Sequence, residues 1–278
     1  MTKDFAGKYG PWAIVLGASD GVGALFAERI ASNGVNVVLV ARREQVLAEV
    51  AAGIRERTGA KTLTLAVDLT DPDASNTIIG ATKDLEIGML VYCAGSDPNY
   101  QPFLANPVST AEALLQRNCV VMMRLCHHYA ALMVERGRGG IVNFSSGAAL
   151  AGGPNMVAYG ATKAFDMVFT EALWTELQGT GVDVLGLLLG KTDTPALRTL
   201  EYSRGQIASL DDVPEGAVSP QSVVDEAFDN LTNGPTLMVG DMMRMAAEIF
   251  KTLTRNEAVT MVMQATAAVM GTQPSEGH

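Results

Sequence analysis

AIVLGASDGVG, residues 13–23, reads as a strand that breaks into a glycine-rich turn and then a helix. Ala13, Ile14, Val15 and Leu16 form an apolar run of strand length, and helical periodicity begins near Gly21. Without Cβ atoms at Gly17, Gly21 and Gly23, a diphosphate can approach the turn and rest against free N–H groups at the positive end of the helix dipole. The stretch therefore predicts a nucleotide-binding turn at the carboxyl end of the first strand of an α/β sheet. The spacing is G-x-x-x-G-x-G, which departs from the G-x-G-x-x-G of the usual dinucleotide fingerprint.

A second cluster lies in SSGAALAGGPNMVAYGATK, residues 145–163. Tyr159 and Lys163 are one helical turn apart and Ser146 precedes them, so a hydroxyl, a phenol and an ammonium can surround one reacting oxygen. Taken with the glycine turn, this pattern resembles the short-chain dehydrogenase/reductase family, over roughly Pro11 to Asp241. The resemblance implies a catalytic tetrad of Asn118, Ser146, Tyr159 and Lys163. In such enzymes the Tyr exchanges a proton with the substrate oxygen and the Ser orients that oxygen. The Lys assists the phenol and bonds the nicotinamide ribose, and the Asn backbone holds a water in the proton relay. A phenol of ordinary pKa about 10 must move by about three units to serve as a base near neutral pH, or about 4 kcal/mol. A solvated lysine does not supply that, whereas a partly buried one beside an oxidised nicotinamide can.

The same resemblance distributes the cofactor along the chain. Gly17, Ser19, Asp20, Gly21, Val22 and Gly23 make the phosphate turn. At the end of the second strand, NVVLVARRE carries Ala41 where an NAD enzyme would place an acidic residue, and Arg42 and Arg43 follow. Guanidinium groups grip a 2′-phosphate bidentately, which favours NADP(H) over NAD(H), with Ser19 as a further donor. Asp68 and Leu69 are expected to bracket the adenine. Ala94 and Gly95 close the fourth strand, where Tyr92 and Cys93 replace the family's Asn pair. After the sixth strand Gly190, Thr192 and Thr194 are expected near the carboxamide or phosphates, although Leu189 replaces the usual Pro and Lys191 follows the glycine. Tyr159 and Lys163 also count among the cofactor contacts.

Length and pattern agree with one α/β domain over residues 1–278. Strands are expected near 13–17, 36–41, 62–67, 87–92, 140–145, 182–189 and 236–240, and the resemblance implies a doubly wound Rossmann-like sheet of order 3-2-1-4-5-6-7. The formal charge of −10 argues against nucleic acid and anionic membrane surfaces as partners. No apolar run reaches membrane-spanning length. Cys93, Cys119 and Cys126 lack disulfide-scaffold or zinc spacing and are expected as buried thiols in a reducing, cytoplasmic setting. His127 and His128 point to different helix faces, so no metal is expected.

Helical stretches 111–135 and 159–177 are apolar around more of their circumference than one sheet contact needs, which points to a homodimer or homotetramer. Residues 195–219 lack strong periodicity, as either a mobile substrate lid or a plain surface connection would. The tail, 242–270, repeats apolar residues at helical spacing with a polar break at Thr254, Arg255 and Asn256. Its Met242, Met243, Met245, Met261 and Met263 suit core or subunit contact, or an adaptable wall for substrate.

Within the family, YGPWAIVLGASDGVG, LEIGMLVYCAG, MVERGRGGIVNFSS and YGATKAF are most similar to the 17β-hydroxysteroid and very-long-chain 3-oxoacyl-CoA reductase branch. The expected activity is hydride transfer between NADP(H) and a small apolar ketone or secondary alcohol, such as a steroid or 3-oxoacyl group. The competing expectation is a catalytically silent nucleotide-sensing or scaffold protein on the same fold.

Overall fold

The apolar runs become seven parallel strands in one sheet, ordered β3-β2-β1-β4-β5-β6-β7. They are β1 (Trp12–Leu16), β2 (Asn36–Ala41), β3 (Thr62–Ala66), β4 (Ile87–Tyr92), β5 (Gly139–Ser146), β6 (Val182–Leu189) and β7 (Thr236–Met238). The structure is a computed structural model that describes residues 4–97 and 100–270, so the ends of the expected 1–278 span lie outside the described residues. Runs such as Ile14–Leu16 and Val37–Val40 are continuous rather than alternating because both faces of a parallel sheet are covered. On one face α2 (Gly21–Ser32), α3 (Glu44–Thr58) and α9 (Pro220–Asp229) pack through Phe26, Ile30, Leu47 and Val223. On the other, α4 (Ala74–Thr82) and α6 (Met122–Arg136) pack through Ile78, Leu125, Tyr129 and Met133. Each such fully buried side chain contributes about 1.5–3 kcal/mol.

β1 lies between β2 and β4, so the chain reverses its direction of winding there and leaves a crevice beyond the carboxyl ends of β1 and β4. The glycine turn borders that crevice. So does the segment that follows β4 and leads through α5 (Val108–Leu115) and a wide π-helical turn, Gln116–Val121, into α6.

Three regions depart from the sequence expectation or go beyond it. The amino-terminal segment forms a short helix, α1 (Phe5–Tyr9), whose Tyr9 is fully buried and donates to Asp183 Oδ2 at 2.6 Å. Burial and that carboxylate hold the Tyr9 phenol above its ordinary range. Residues 195–219 begin with a regular helix, α8 (Pro195–Ser203), started by Thr194 as N-cap and Pro195 in the first turn. Arg198 holds Asp193 with two bonds at 2.6 and 2.8 Å, which fastens that helix to its own entry. The thiols divide: Cys119 and Cys126 are buried, but Cys93 is only partly so, because β4 ends there against the open crevice.

The tail forms α10 (Asp241–Lys251) and α11 (Arg255–Met270). The break falls at Thr252–Thr254, two residues earlier than the polar trio suggests, because Thr254 and Glu257 make a reciprocal capping box that draws Arg255 and Asn256 into the helix. Both helices return to the main domain. Arg255 Nη1 donates to Leu150 O at 2.6 Å, and Met243 is buried against Gly147 and Gly190. Met242, Met245 and Met263 are exposed, so the Met cluster is not one core.

Candidate active site

Gly17 and Gly21 have φ of +82° and +54°, left-handed conformations that a Cβ would strain. A Cβ at Gly17 would lie 2.9 Å from the Ala94 backbone N, and one at Gly23 would lie 2.2 Å from Gly17 O. Gly17 thus serves both the turn and the approach of β1 to β4, Gly21 serves the turn, and Gly23 lets α2 pack against Gly17. Gly21 faces Thr194, whose Cγ2 would be 3.2 Å from its Cβ, so the first and sixth strand ends meet over the crevice. Val22 is buried in the core, and Asp20 occupies the N-cap of α2 without a capping bond.

The 2′ end is more divided than the sequence suggests. Arg43 forms an ion pair with Asp20 and donates to Ser19 Oγ at 3.0 Å, so it latches the glycine turn. Arg42 is exposed, with no side-chain hydrogen bond or ion pair among the described residues. Asp68 is exposed and accepts from Thr70 N at 2.9 Å, while Leu69 is buried beneath it in the sheet core. Thr192 makes an isolated parallel bridge to Val218, and Thr194 Oγ1 is engaged as the α8 cap.

Asn118 sits in the π-helical turn, fully buried. Its Nδ2 donates to Thr162 Oγ1 at 2.9 Å, and its Oδ1 accepts from Arg117 Nε at 3.1 Å. Ser146 ends β5, where its Oγ accepts from Ala148 N at 3.2 Å and keeps its own hydrogen to donate. Tyr159 and Lys163 lie on α7 (Val157–Glu176). Tyr159 is half-buried and lines a shallow open cleft bordered by Phe103, Leu114 and Met156 on its apolar side and by Gln101, Asn106 and Thr110 on its polar side. Lys163 is buried, with Nζ donating to Phe144 O at 2.8 Å and to Asp166 Oδ2 at 3.0 Å, and lying 5.9 Å from the Tyr159 ring centroid.

Gly95 joins these halves. Its φ is +132°, and a Cβ there would fall 2.9 Å from Asn118 Oδ1 and 3.0 Å from Lys163 Nζ. The glycine therefore leaves open the passage between the strand ends and the Asn118 and Lys163 side chains. A backbone groove of this kind, with a buried ammonium beside it, fits a dinucleotide.

Several residues here escaped the sequence reading. Tyr92, in place of the usual Asn, donates from its hydroxyl to Arg117 O and so holds the π-helical turn from below. Thr162 fixes the Asn118 amide. Asp166 is 4% exposed beside Lys163. Burial pushes its carboxyl up to about 6, against the pull of the neighbouring ammonium. The detectable signal was spacing: Thr162, Lys163, Asp166 and Thr170 form a polar stripe along the inward side of α7.

Around the mouth, Tyr100 and Asn155 adopt positive φ (45° and 62°). Arg204 donates to Tyr100 O at 2.9 Å and stacks 5.0 Å over its ring, which ties the segment after α8 to the one before α5. Among the described residues no group of His, Cys, Asp and Glu could hold a metal, and no helix is long and apolar enough to cross a membrane.

The sequence model described as short chain dehydrogenase matches residues 11–204. The chain is 36% identical over 239 residues to a 7β-hydroxysteroid dehydrogenase of Collinsella aerofaciens, covering 84% of this chain and 87% of that protein. A solved structure from work on 7β-hydroxysteroid dehydrogenase stereoselectivity superposes with a TM-score of 0.85 at 34% identity, covering 93% of this chain and 99% of the other. A short-chain dehydrogenase from Sphingobium yanoikuyae in complex with NADPH gives a TM-score of 0.74 at 28% identity, over 96% and 98% of the two chains.

Proposed function

The chain belongs to the short-chain dehydrogenase family and is an oxidoreductase of the CH–OH/C=O class, and from that premise we propose an NADP(H)-dependent enzyme acting on an apolar ketone or secondary alcohol of steroid size. The observation that carries the proposal is Gly95. It sits where the nucleotide groove meets Asn118 and Lys163, and a single added methyl would close the route. The cofactor, when bound, supplies or accepts the hydride. Gly17, Gly21 and the amino end of α2 receive its diphosphate, and Arg42 receives the 2′-phosphate. Lys163 presents its remaining N–H to the ribose. Ser146 donates to the substrate oxygen, Tyr159 delivers or removes that oxygen's proton, and Asn118 maintains the turn behind them. The 7β-hydroxysteroid relatives support the substrate class, and the cleft beside Tyr159 offers apolar walls (Phe103, Leu114, Met156) next to polar ones (Gln101, Asn106, Thr110). The NADPH-bound neighbour supports the cofactor.

The same reading assigns the exposed apolar side chains of α7, Phe165 and Val168, to a subunit contact with Leu115, Met123 and Leu132 of the α5–α6 arm, in a homodimer or homotetramer. The free thiols suit a reducing compartment such as the cytoplasm.

The test is a screen of purified protein with NADPH against steroid ketones, 3-oxoacyl thioesters and small diketones. Reduced nicotinamide should be consumed with a steroid ketone. Tyr159→Phe should abolish that turnover and still bind NADPH with nearly unchanged affinity. An inactive wild type, or substantial turnover by the variant, refutes the assignment.

A further inference from the structure

The inward face of α7 is polar where a sheet-facing helix is ordinarily apolar. Its buried side chains are Thr162, Lys163, Asp166 and Thr170. The two threonines are satisfied by amides, Thr162 by Asn118 Nδ2 at 2.9 Å and Thr170 by Asn143 Nδ2 at 3.0 Å. Asp166 is less well provided for. Its Oδ2 accepts from Lys163 at 3.0 Å, while its Oδ1 is buried without a hydrogen-bond partner. A half-satisfied carboxylate in such a place is costly to the fold.

The groups facing this pair are few. Asp166 feels Lys163 from its own helix, Tyr92 from β4, and Cys119 and Cys126 from the π-helical turn and α6. Burial raises the phenol and both thiols above their ordinary ranges, so these three neighbours stay neutral through the physiological range. Lys163 also faces Cys93 at the end of β4. Asp166 is therefore the anion set closest to the catalytic ammonium, one turn along the same helix.

We propose that Asp166 is a positioning residue for Lys163: it pins the ammonium against the Phe144 carbonyl and, by offsetting its charge, sets the pH at which Tyr159 gives up its proton. The inference rests on the roles given above to Tyr159 and Lys163. With Asp166 ionised, the Lys163 charge reaches the phenol weakened. With Asp166 neutral, the ammonium acts at full strength and phenolate forms more readily. Asp166→Asn keeps an acceptor for Lys163 but removes the offsetting charge, whereas Asp166→Glu restores the charge.

The test begins with cofactor-free protein. The near-ultraviolet phenolate absorbance of Tyr159, taken as the difference between each protein and its Tyr159→Phe counterpart, is titrated for wild type, Asp166→Asn and Asp166→Glu. The Asn variant should ionise Tyr159 about one pH unit or more below wild type, the size of effect one neighbouring charge produces. The Glu variant should return toward wild type. In turnover, the acid limb of the kcat/KM profile for alcohol oxidation should move in the same direction. Superimposed titrations for folded wild-type and Asn proteins overturn the proposal.

If Asp166→Asn does not fold, the Lys163 ammonium resonance of the wild-type protein, assigned by its loss in Lys163→Arg, replaces it. That resonance should shift with a midpoint near pH 6 as Asp166 takes a proton, and a flat response overturns the proposal. Because both titrations need no substrate, an enzyme inactive toward ketones would refute the functional assignment and leave this result standing or falling by itself.

Discussion

Gly95→Ala is the sharpest perturbation the site offers. Two costs add. At φ +132° an alanine sits in territory populated almost only by glycine, a strain of about 1–3 kcal/mol. The new methyl would also meet Asn118 Oδ1 at 2.9 Å and Lys163 Nζ at 3.0 Å. Asn118 cannot swing aside cheaply, since it is fully buried and held by both Thr162 and Arg117. A total loss of about 2–4 kcal/mol follows, or a fall in Tm of roughly 4–12 °C for a chain of this size. NADPH affinity should drop by about tenfold or more, because Lys163 and the groove floor are both displaced. Gly59→Ala separates the two costs: Gly59 has φ +72° but nothing within 4 Å of a new Cβ, so it should lose only about 1 kcal/mol and bind NADPH normally. Calorimetric titration and thermal melts of the three proteins decide the matter. A Gly95→Ala protein with wild-type Tm and wild-type NADPH affinity would refute the reasoning.

Arg42→Ala should weaken NADPH by about 1.5–3 kcal/mol and leave NADH nearly untouched, while Arg43→Ala should act mainly by loosening the Ser19–Asp20 turn and so affect both nucleotides; paired calorimetric titrations check this. Truncation after Asp241 removes Met243 from the surfaces of Gly147 and Gly190 and Arg255 from Leu150 O, and should lower Tm by several degrees and raise KM for bulky apolar ketones. Asp166 gives stability its own pH dependence. Its folded carboxyl lies above the unfolded value of 3.8, so the native state binds the proton more tightly. The resulting stabilisation is full below about pH 3.8 and is lost as pH rises through about 6. Denaturant titrations should therefore find the stability of wild type relative to Asp166→Asn declining across that interval, by on the order of 1–3 kcal/mol.

What the sequence disclosed and what it hid follow from the range of the interactions involved. Strands announced themselves because continuous Val, Ile and Leu runs have no other stable home, and each lies within two residues of its expected bounds. The glycine turn was legible because local spacing fixes it, and the same is true of Tyr159 and Lys163, which lie one turn apart on α7. The bonds from Arg43 to Asp20 and Ser19 were hidden because those partners lie on a different loop, and no periodicity reports an ion pair across 23 residues. The helix α8 was missed although Thr194-Pro195 is a helix-start signal, since its apolar side is short and its burial rests on Glu201 paired with Lys191 at 2.6 Å. Asp166 was read as part of an apolar helix because the pattern was weighed by hydrophobicity, and a polar stripe turned inward has the same period as one turned outward. For α1, five residues are too few to show a period. The clue lay elsewhere, in Gly88 and Gly140 inside strands, where glycine marks a close approach by another part of the chain.

That close approach governs the order in which the chain can assemble. Tyr9 is wedged against Gly88 and Gly140 and tied to Asp183, a partner 174 residues away. Helix α1 therefore cannot dock until β4, β5 and the start of β6 exist. Closing so long a loop is entropically unfavourable until the intervening sheet has brought the ends together. Helix α1 thus acts as a clasp that closes only after the sheet behind it has formed through β6, and chains ending before Asp183 carry an unclosed sheet with an unburied Tyr9 beside it.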